Sequence, residues 1–122
     1  MLLLSLLYVA MATAVGASPS PDPKHNQPYA LIFGTVWGPD ARPLYGVKIR
    51  IRRLNEKKPR WEVYSDHSGE FAQRVPAARA DYAIWADLKG YKSPSGTHLR
   101  QDEEVKVHVE YDEKVDTGLR LK

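Results

Sequence analysis

Ser65-Asp66-His67-Ser68-Gly69-Glu70-Phe71 is a polar stretch set between two apolar ones, with Trp61, Val63 and Tyr64 before it and Phe71 and Val75 closing it. Asp and Ser side chains bond the local backbone and Gly accepts a positive φ, so the stretch reads as a tight turn joining two short strands. Counting outward from it organises the rest of the chain. Arg60 to Ser65 and Gly69 to Val75 are the strands it joins. Upstream, Val47 to Arg53 alternates Val47, Ile49 and Ile51 with Lys48, Arg50 and Arg52, the period of a half-buried strand. Ala30 to Trp37 is a strand rich in β-branched and aromatic residues, and Gly34 within it marks a bulge or a close backbone approach. Between them, Gly38-Pro39-Asp40-Ala41-Arg42-Pro43 cannot continue a ladder. Downstream, Tyr82 to Leu88 is a fifth strand and 92–101 a long loop. Glu104 to Tyr111 alternates Val105, Val107 and Val109 against Lys106, His108 and Glu110, and Gly118 to Lys122 is a short last strand.

Seven short strands with turn chemistry between them predict an all-β, antiparallel Ig-like sandwich. The inward set is Ile32, Val36, Val47, Ile49, Ile51, Val63, Phe71, Tyr82, Ile84, Val105, Val107 and Val109, with Trp61 on the core side. The first 17 residues differ from all of this. They carry no charged side chain, run apolar through Leu2 to Ala10, and end in Val15-Gly16-Ala17. That is the pattern of a helical signal peptide cleaved after Ala17. An uncleaved anchor is the alternative, although about 16 apolar residues is short for a span. Residues 18–28, rich in Pro, Ser and Asp, form an extended linker, and the folded domain covers 29–122. A chain of roughly 105 residues buries about 60–70% of its unfolded surface, enough for one core.

In order, Ile32-Phe33-Gly34-Thr35-Val36, Arg42-Pro43-Leu44-Tyr45-Gly46-Val47, the Ser65–Phe71 turn, Val75-Pro76, Tyr82, Ala86 and Gly90-Tyr91 resemble the carboxypeptidase regulatory-like domain family. The resemblance spans about residues 31 to 110. It implies a transthyretin-like (prealbumin-like) seven-stranded sandwich, and a module that is usually non-catalytic and belongs to exported proteins. Gln73 and Ala78-Arg79-Ala80 depart from the family pattern, the first where an apolar residue is common and the second where a glycine precedes the next strand.

The chemistry-bearing residues are sparse. There is no cysteine and therefore no disulfide or thiolate site. His25, His67, His98 and His108 fall in the linker, a turn, a loop and an outward strand position, without ligand spacing, so no metal or other cofactor is expected. Ser65, Asp66 and His67 are adjacent in one turn and cannot line up as nucleophile, orienter and base. Asp66 braces its own turn. The transthyretin-like fold includes the hydroxyisourate hydrolases, whose Tyr-Arg-Gly-Ser tail is replaced here by Leu119-Arg120-Leu121-Lys122, so the chain is expected not to be an enzyme. A formal charge of +3 argues against a nucleic-acid partner.

Two patterns suggest binding instead. Between Lys48 and Arg60 lie seven basic residues against Glu56 alone, and between Asp102 and Asp116 seven acidic residues against two lysines. They read either as partner-recognition patches or as segments that neutralise each other across strands. If Ile32, Val36 and Ile84 face the core, then Phe33, Trp37 and Trp85 face outward, and Tyr64 lies opposite Val63. Candidate contact residues are therefore Phe33, Trp37, Tyr64, Trp85, Lys48, Arg50 and Arg52. The expected partner is a protein of the periplasm, the cell envelope or the medium outside the cell. A glycan held by Trp37 and Trp85 is the alternative, and a transthyretin-like hydrolase a further one. The membrane enters only through the signal segment.

Overall fold

The structure, a computed structural model, describes residues 27–122. The expected signal segment and residues 18–26 of the expected linker lie outside the described residues. Eight strands follow in order: β1 (Tyr29–Trp37), β2 (Lys48–Arg53), β3 (Trp61–Tyr64), β4 (Glu70–Pro76), β5 (Ala80–Asp87), β6 (Val105–Val109), β7 (Lys114–Asp116) and β8 (Leu119–Arg120). They form two four-stranded sheets. The first has the order β4-β1-β7, with β8 continuing along β1 beyond β7; the second has the order β3-β2-β5-β6. Among the described residues there is no helix long and apolar enough to cross a membrane.

Alternation builds the core. β1 buries Ala30, Ile32, Gly34 and Val36, and β2 buries Ile49 and Ile51. Facing residues are Phe71, Val75, Tyr82, Ile84, Val107 and Val109, joined by Leu44, Leu119 and Leu121. Ten of the twelve expected inward residues are thus buried. Val63 and Val105 are only partly buried, because β3 and β6 are the two edges of the second sheet. Trp61 packs edge-on against Tyr82, with ring centroids 5.7 Å apart.

The all-β sandwich is as the sequence predicts, and the end of the chain differs in detail. The last strand is preceded by the three-residue β7, and both β7 and β8 run parallel to β1, while every other pairing is antiparallel. Gly34 explains the break between them. A Cβ there would sit 1.5 Å from the Thr117 carbonyl oxygen, so the backbone of 117 passes directly over β1. The β1–β4 register runs through Gly34 without interruption, so the glycine serves a close approach and not a bulge.

The turn that decides the fold is held from both sides. Asp66 Oδ1 accepts the N–H groups of Ser68 and Glu70, each at 2.9 Å. Gly69 has φ 73, and a Cβ on it would lie 2.6 Å from Pro43 Cβ. Ser65 is buried; its Oγ accepts from Val47 N–H (2.9 Å) and donates to the Leu44 carbonyl (2.7 Å), which fastens the β1–β2 loop to the β3–β4 turn.

Candidate recognition surfaces

The outer face of the second sheet is laid out by register. Tyr64, Lys48 and Asp87 form one row across β3, β2 and β5, and Glu62, Arg50 and Trp85 form the next. Arg52 and Ala83 form a third. The outward cations Lys48, Arg50 and Arg52 each have an acid partner on this face, whereas Arg53, on the opposite alternation, has none among the described residues and its Nε is buried without a hydrogen-bond partner. Arg50 reaches Asp87 Oδ2 through Nε at 2.8 Å and Glu62 through Nη2 at 3.2 Å. Lys48 lies 3.6 Å from the same Glu62 carboxylate and 5.8 Å from the centre of the Tyr64 ring. Arg52 grips Glu104 with two bonds of 3.1 Å and gives its remaining nitrogen to the carbonyls of Leu54 (3.2 Å) and Glu56 (3.0 Å).

The titrations follow this arrangement. The Lys89 N–H holds the Asp87 carboxyl below its ordinary range, and Arg50 adds to that. The Tyr64 hydroxyl, then the Glu62 carboxylate, holds the Lys48 ammonium above its ordinary range. The basic stripe is therefore a charge-balanced mosaic. It is balanced mainly by Glu62 and Asp87, on the neighbouring strands. Among the described residues only Arg52–Glu104 joins the basic 48–60 segment to the acidic 102–116 segment.

The expected aromatic residues separate into groups. Trp85 lines a shallow cleft with Arg52, Lys57 and the 101–104 segment. Trp37, on the other sheet, lines a second cleft with Asp102, Glu103, Arg120 and Lys122. The two tryptophans thus flank the 101–104 segment from opposite sides and share no cleft. Phe33 projects from the first sheet between Ala72 and Asp116, and Tyr64 reaches toward it around the β3–β4 edge, so these two do share a cleft, together with Asp66 and Glu70. Phe33, Trp37 and Trp85 are half-buried and Tyr64 is exposed.

Sequence reasoning missed Gln101. Its Oε1 accepts the Ala86 N–H at 2.6 Å and its Nε2 donates to the Glu103 carbonyl at 2.8 Å, so a side chain continues the β5 ladder where β6 has not yet begun. It missed the histidine cluster as well. His108 Nδ1 is 2.6 Å from Asp81 Oδ1 and Nε2 is 2.8 Å from Glu110 Oε1, while Glu110 also meets Arg79 at 2.9 Å. Glu110 and then Asp81 raise the His108 pKa above 6.5, and Glu110 is lowered in return by His108 and Arg79. Only the cross-strand register, which pairs Asp81 with His108, reveals the cluster. Among the described residues no group of three or more His, Cys, Asp or Glu side chains could hold a metal ion.

This architecture is a prealbumin-like, Ig-like β-sandwich. Solved structures share it at low identity. The major pilin subunit of Bacillus cereus matches with a TM-score of 0.60 and 16% identity over 77% of this chain and 30% of that one. A minor pilin of Streptococcus agalactiae matches with a TM-score of 0.61 and 18% identity over 79% of this chain and 45% of that one. The 5-hydroxyisourate hydrolase of Klebsiella pneumoniae matches with a TM-score of 0.51 and 13% identity over 75% of this chain and 90% of that one. The chain spans less than half the length of the two pilins. No family model matches it, the carboxypeptidase regulatory-like family included, and no curated protein does.

Proposed function

We propose that the chain is an exported, non-catalytic module of the carboxypeptidase regulatory-like type that works in the cell envelope or outside the cell by binding a protein partner. Its contact surface is the outer face of the second sheet, built from Tyr64, Lys48, Arg50, Arg52 and Trp85, with Phe33 joining it around the β3–β4 edge. The observation that carries this reading is the cross-strand mosaic itself. Arg50 and Arg52 are fixed by carboxylates beside an outward tryptophan, so little side-chain freedom remains to be lost when a partner docks. Aromatic and arginine side chains of this kind dominate protein interfaces. Likeness in fold to pilin domains agrees with a structural role, as does the buried, doubly bonded Ser65 hydroxyl, which is not free to act as a nucleophile.

The test is capture of envelope proteins on the immobilised chain, compared with the Tyr64→Ala/Trp85→Ala double variant. The reading expects a discrete partner that the variant loses. It also expects only a weak response to salt, because the face carries no uncompensated cationic stripe. A partner held equally by both forms would overturn the assignment of the surface.

A second reading is favoured by one observation. Trp37 and Trp85 each line an open cleft that also holds carboxylates and a basic side chain, a combination that can stack on a sugar ring and bond its hydroxyls. Glycan-array binding lost in Trp85→Ala or Trp37→Ala, with the fold intact, would establish it; an array silent for the wild-type chain would eliminate it.

A further inference from the structure

The cleft shared by Phe33 and Tyr64 differs in charge from the mosaic beside it. On the outer face of the first sheet, Phe33 stands between Ala72 of β4 and Asp116 of β7. Ala72 carries only a methyl group, so that side of the ring stays open toward Tyr64 at the end of β3. The result is a cleft of about 580 Å³. Ligand pockets span about 300–1,000 Å³, so the space is ample for one side chain of a partner. The carboxylates of Asp66, Glu70 and Asp116 line it, and no basic side chain does.

These carboxylates are held in place but not neutralised. Asp66 is fixed by the two turn N–H groups that its Oδ1 accepts, each at 2.9 Å. Glu70 and Asp116 are exposed on β4 and β7. Among the described residues none of the three has an ion-pair partner, whereas Glu62 and Asp87 of the adjoining mosaic are both paired. The neighbouring cations are engaged elsewhere or stand in another row. Lys48 lies 5.8 Å from the centre of the Tyr64 ring, and its charge is met by Glu62. Arg74 and Lys114 flank Leu31 in the row next to Phe33, and Arg74 lies over the Tyr29 ring at 4.3 Å. The cleft therefore sets unmatched negative charge beside two aromatic rings, the combination that attracts an organic cation.

We propose that this cleft seats an arginine side chain of the protein partner. The inference rests on the protein-binding reading above and names what the partner presents. A guanidinium is planar and carries its donors in a fork, so it stacks on an aromatic ring of the cleft while bonding the carboxylate of Glu70 or Asp116. Tyr64 belongs both to the cleft and to the mosaic, which makes the seat continuous with the proposed contact surface. A single cation enclosed between rings is screened little, in keeping with the weak salt response expected of the whole contact.

The experiment is an amide chemical-shift titration of the full chain with the capped peptide acetyl-Gly-Arg-Gly-amide, and in parallel with its citrulline analogue, which has the same shape without the charge. The arginine peptide should give saturable shifts at Phe33, Glu70, Ala72 and Asp116, and the citrulline peptide should not. The double variant Glu70→Gln/Asp116→Asn should raise the Kd of the arginine peptide at least about fivefold. Phe33→Leu, which keeps an apolar side chain but removes the ring, should raise it about threefold. Because Glu70 and Asp116 are exposed, the double variant should keep the wild-type spectrum elsewhere. The proposal is overturned if these amides do not move, if both peptides move them equally, or if the double variant binds the arginine peptide as the wild type does. The peptide is supplied directly, so silence at the cleft strikes this assignment alone, whereas the protein-binding surface falls only if a captured partner ignores the Tyr64→Ala/Trp85→Ala substitutions.

Discussion

At the scale of single residues, the turn from Ser65 to Phe71 separates architecture from ornament. Gly69 needs both a positive φ and the absence of a Cβ beside Pro43. Gly69→Val should therefore cost more than the ~1–2 kcal/mol of the backbone strain alone, read as a fall in denaturation midpoint. His67 is exposed and only stacks on Tyr45, with ring centroids 4.1 Å apart, so His67→Ala should cost at most about 1 kcal/mol. Equal midpoints for the two variants would contradict this division. Ser65→Ala leaves the Val47 N–H and the Leu44 carbonyl without their partner in the interior, at about 1–3 kcal/mol. Tyr82 has the opposite character. Its hydroxyl is buried near the Arg53 guanidinium on the paired strand without a well-formed hydrogen bond, so Tyr82→Phe removes a desolvated polar atom and keeps the ring against Trp61. Thermal unfolding should show that variant to be at least as stable as the wild type; a clear loss would mean that the hydroxyl does find a partner.

At the scale of elements, what could be read in the sequence was what alternation and glycine can encode. β2 was visible because Val47, Ile49 and Ile51 alternate with cations, and Gly34 signalled either a bulge or a close approach, which only the β1–β4 register and the Thr117 carbonyl decide. β7 was not visible, because Lys114-Val115-Asp116 offers one apolar residue and no period; its place is set by the Gly34 gap opposite Thr117. Gly34→Ala should consequently detach the C-terminal strands from β1, a loss at or beyond the upper end of the ~1–3 kcal/mol usual for overpacking. Hydrogen exchange should rise at Thr117 and Leu121, whose N–H groups donate to β1 carbonyls. The contact residues were legible as outward-facing, but their grouping was not. Which acid meets Arg50, and which tryptophan shares a cleft with what, depends on register between strands far apart in the chain.

Register also creates the His108 cluster on the edge strand β6. A neutral imidazole donates through one nitrogen only, and here both face carboxylates, so the fold favours the imidazolium. With the folded pKa raised above 6.5, the contribution to stability is fully present at pH below 6.5 and is lost as the pH rises through the folded value. Titration of His108 by NMR should give a pKa above 6.5 that falls in Glu110→Gln and in Asp81→Asn. A value that neither substitution moves would contradict the cluster.

At the scale of the whole molecule, the two sheets divide the work. The first sheet, with β1 at its centre, receives the C-terminal strands and closes the fold. The second carries the ordered mosaic of Tyr64, Lys48, Arg50, Arg52 and Trp85 on its outer face, and the β3–β4 edge holds the acid-lined aromatic cleft. The central claim is that the outer face of the second sheet meets a protein. The most direct test replaces Tyr64, which is 57% exposed, with a photo-reactive phenylalanine analogue in the native envelope, using the same replacement at exposed Asp112 as control. We expect one discrete protein adduct from position 64 and none of that mass from position 112. No adduct from position 64, or the same adduct from both positions, would contradict the account.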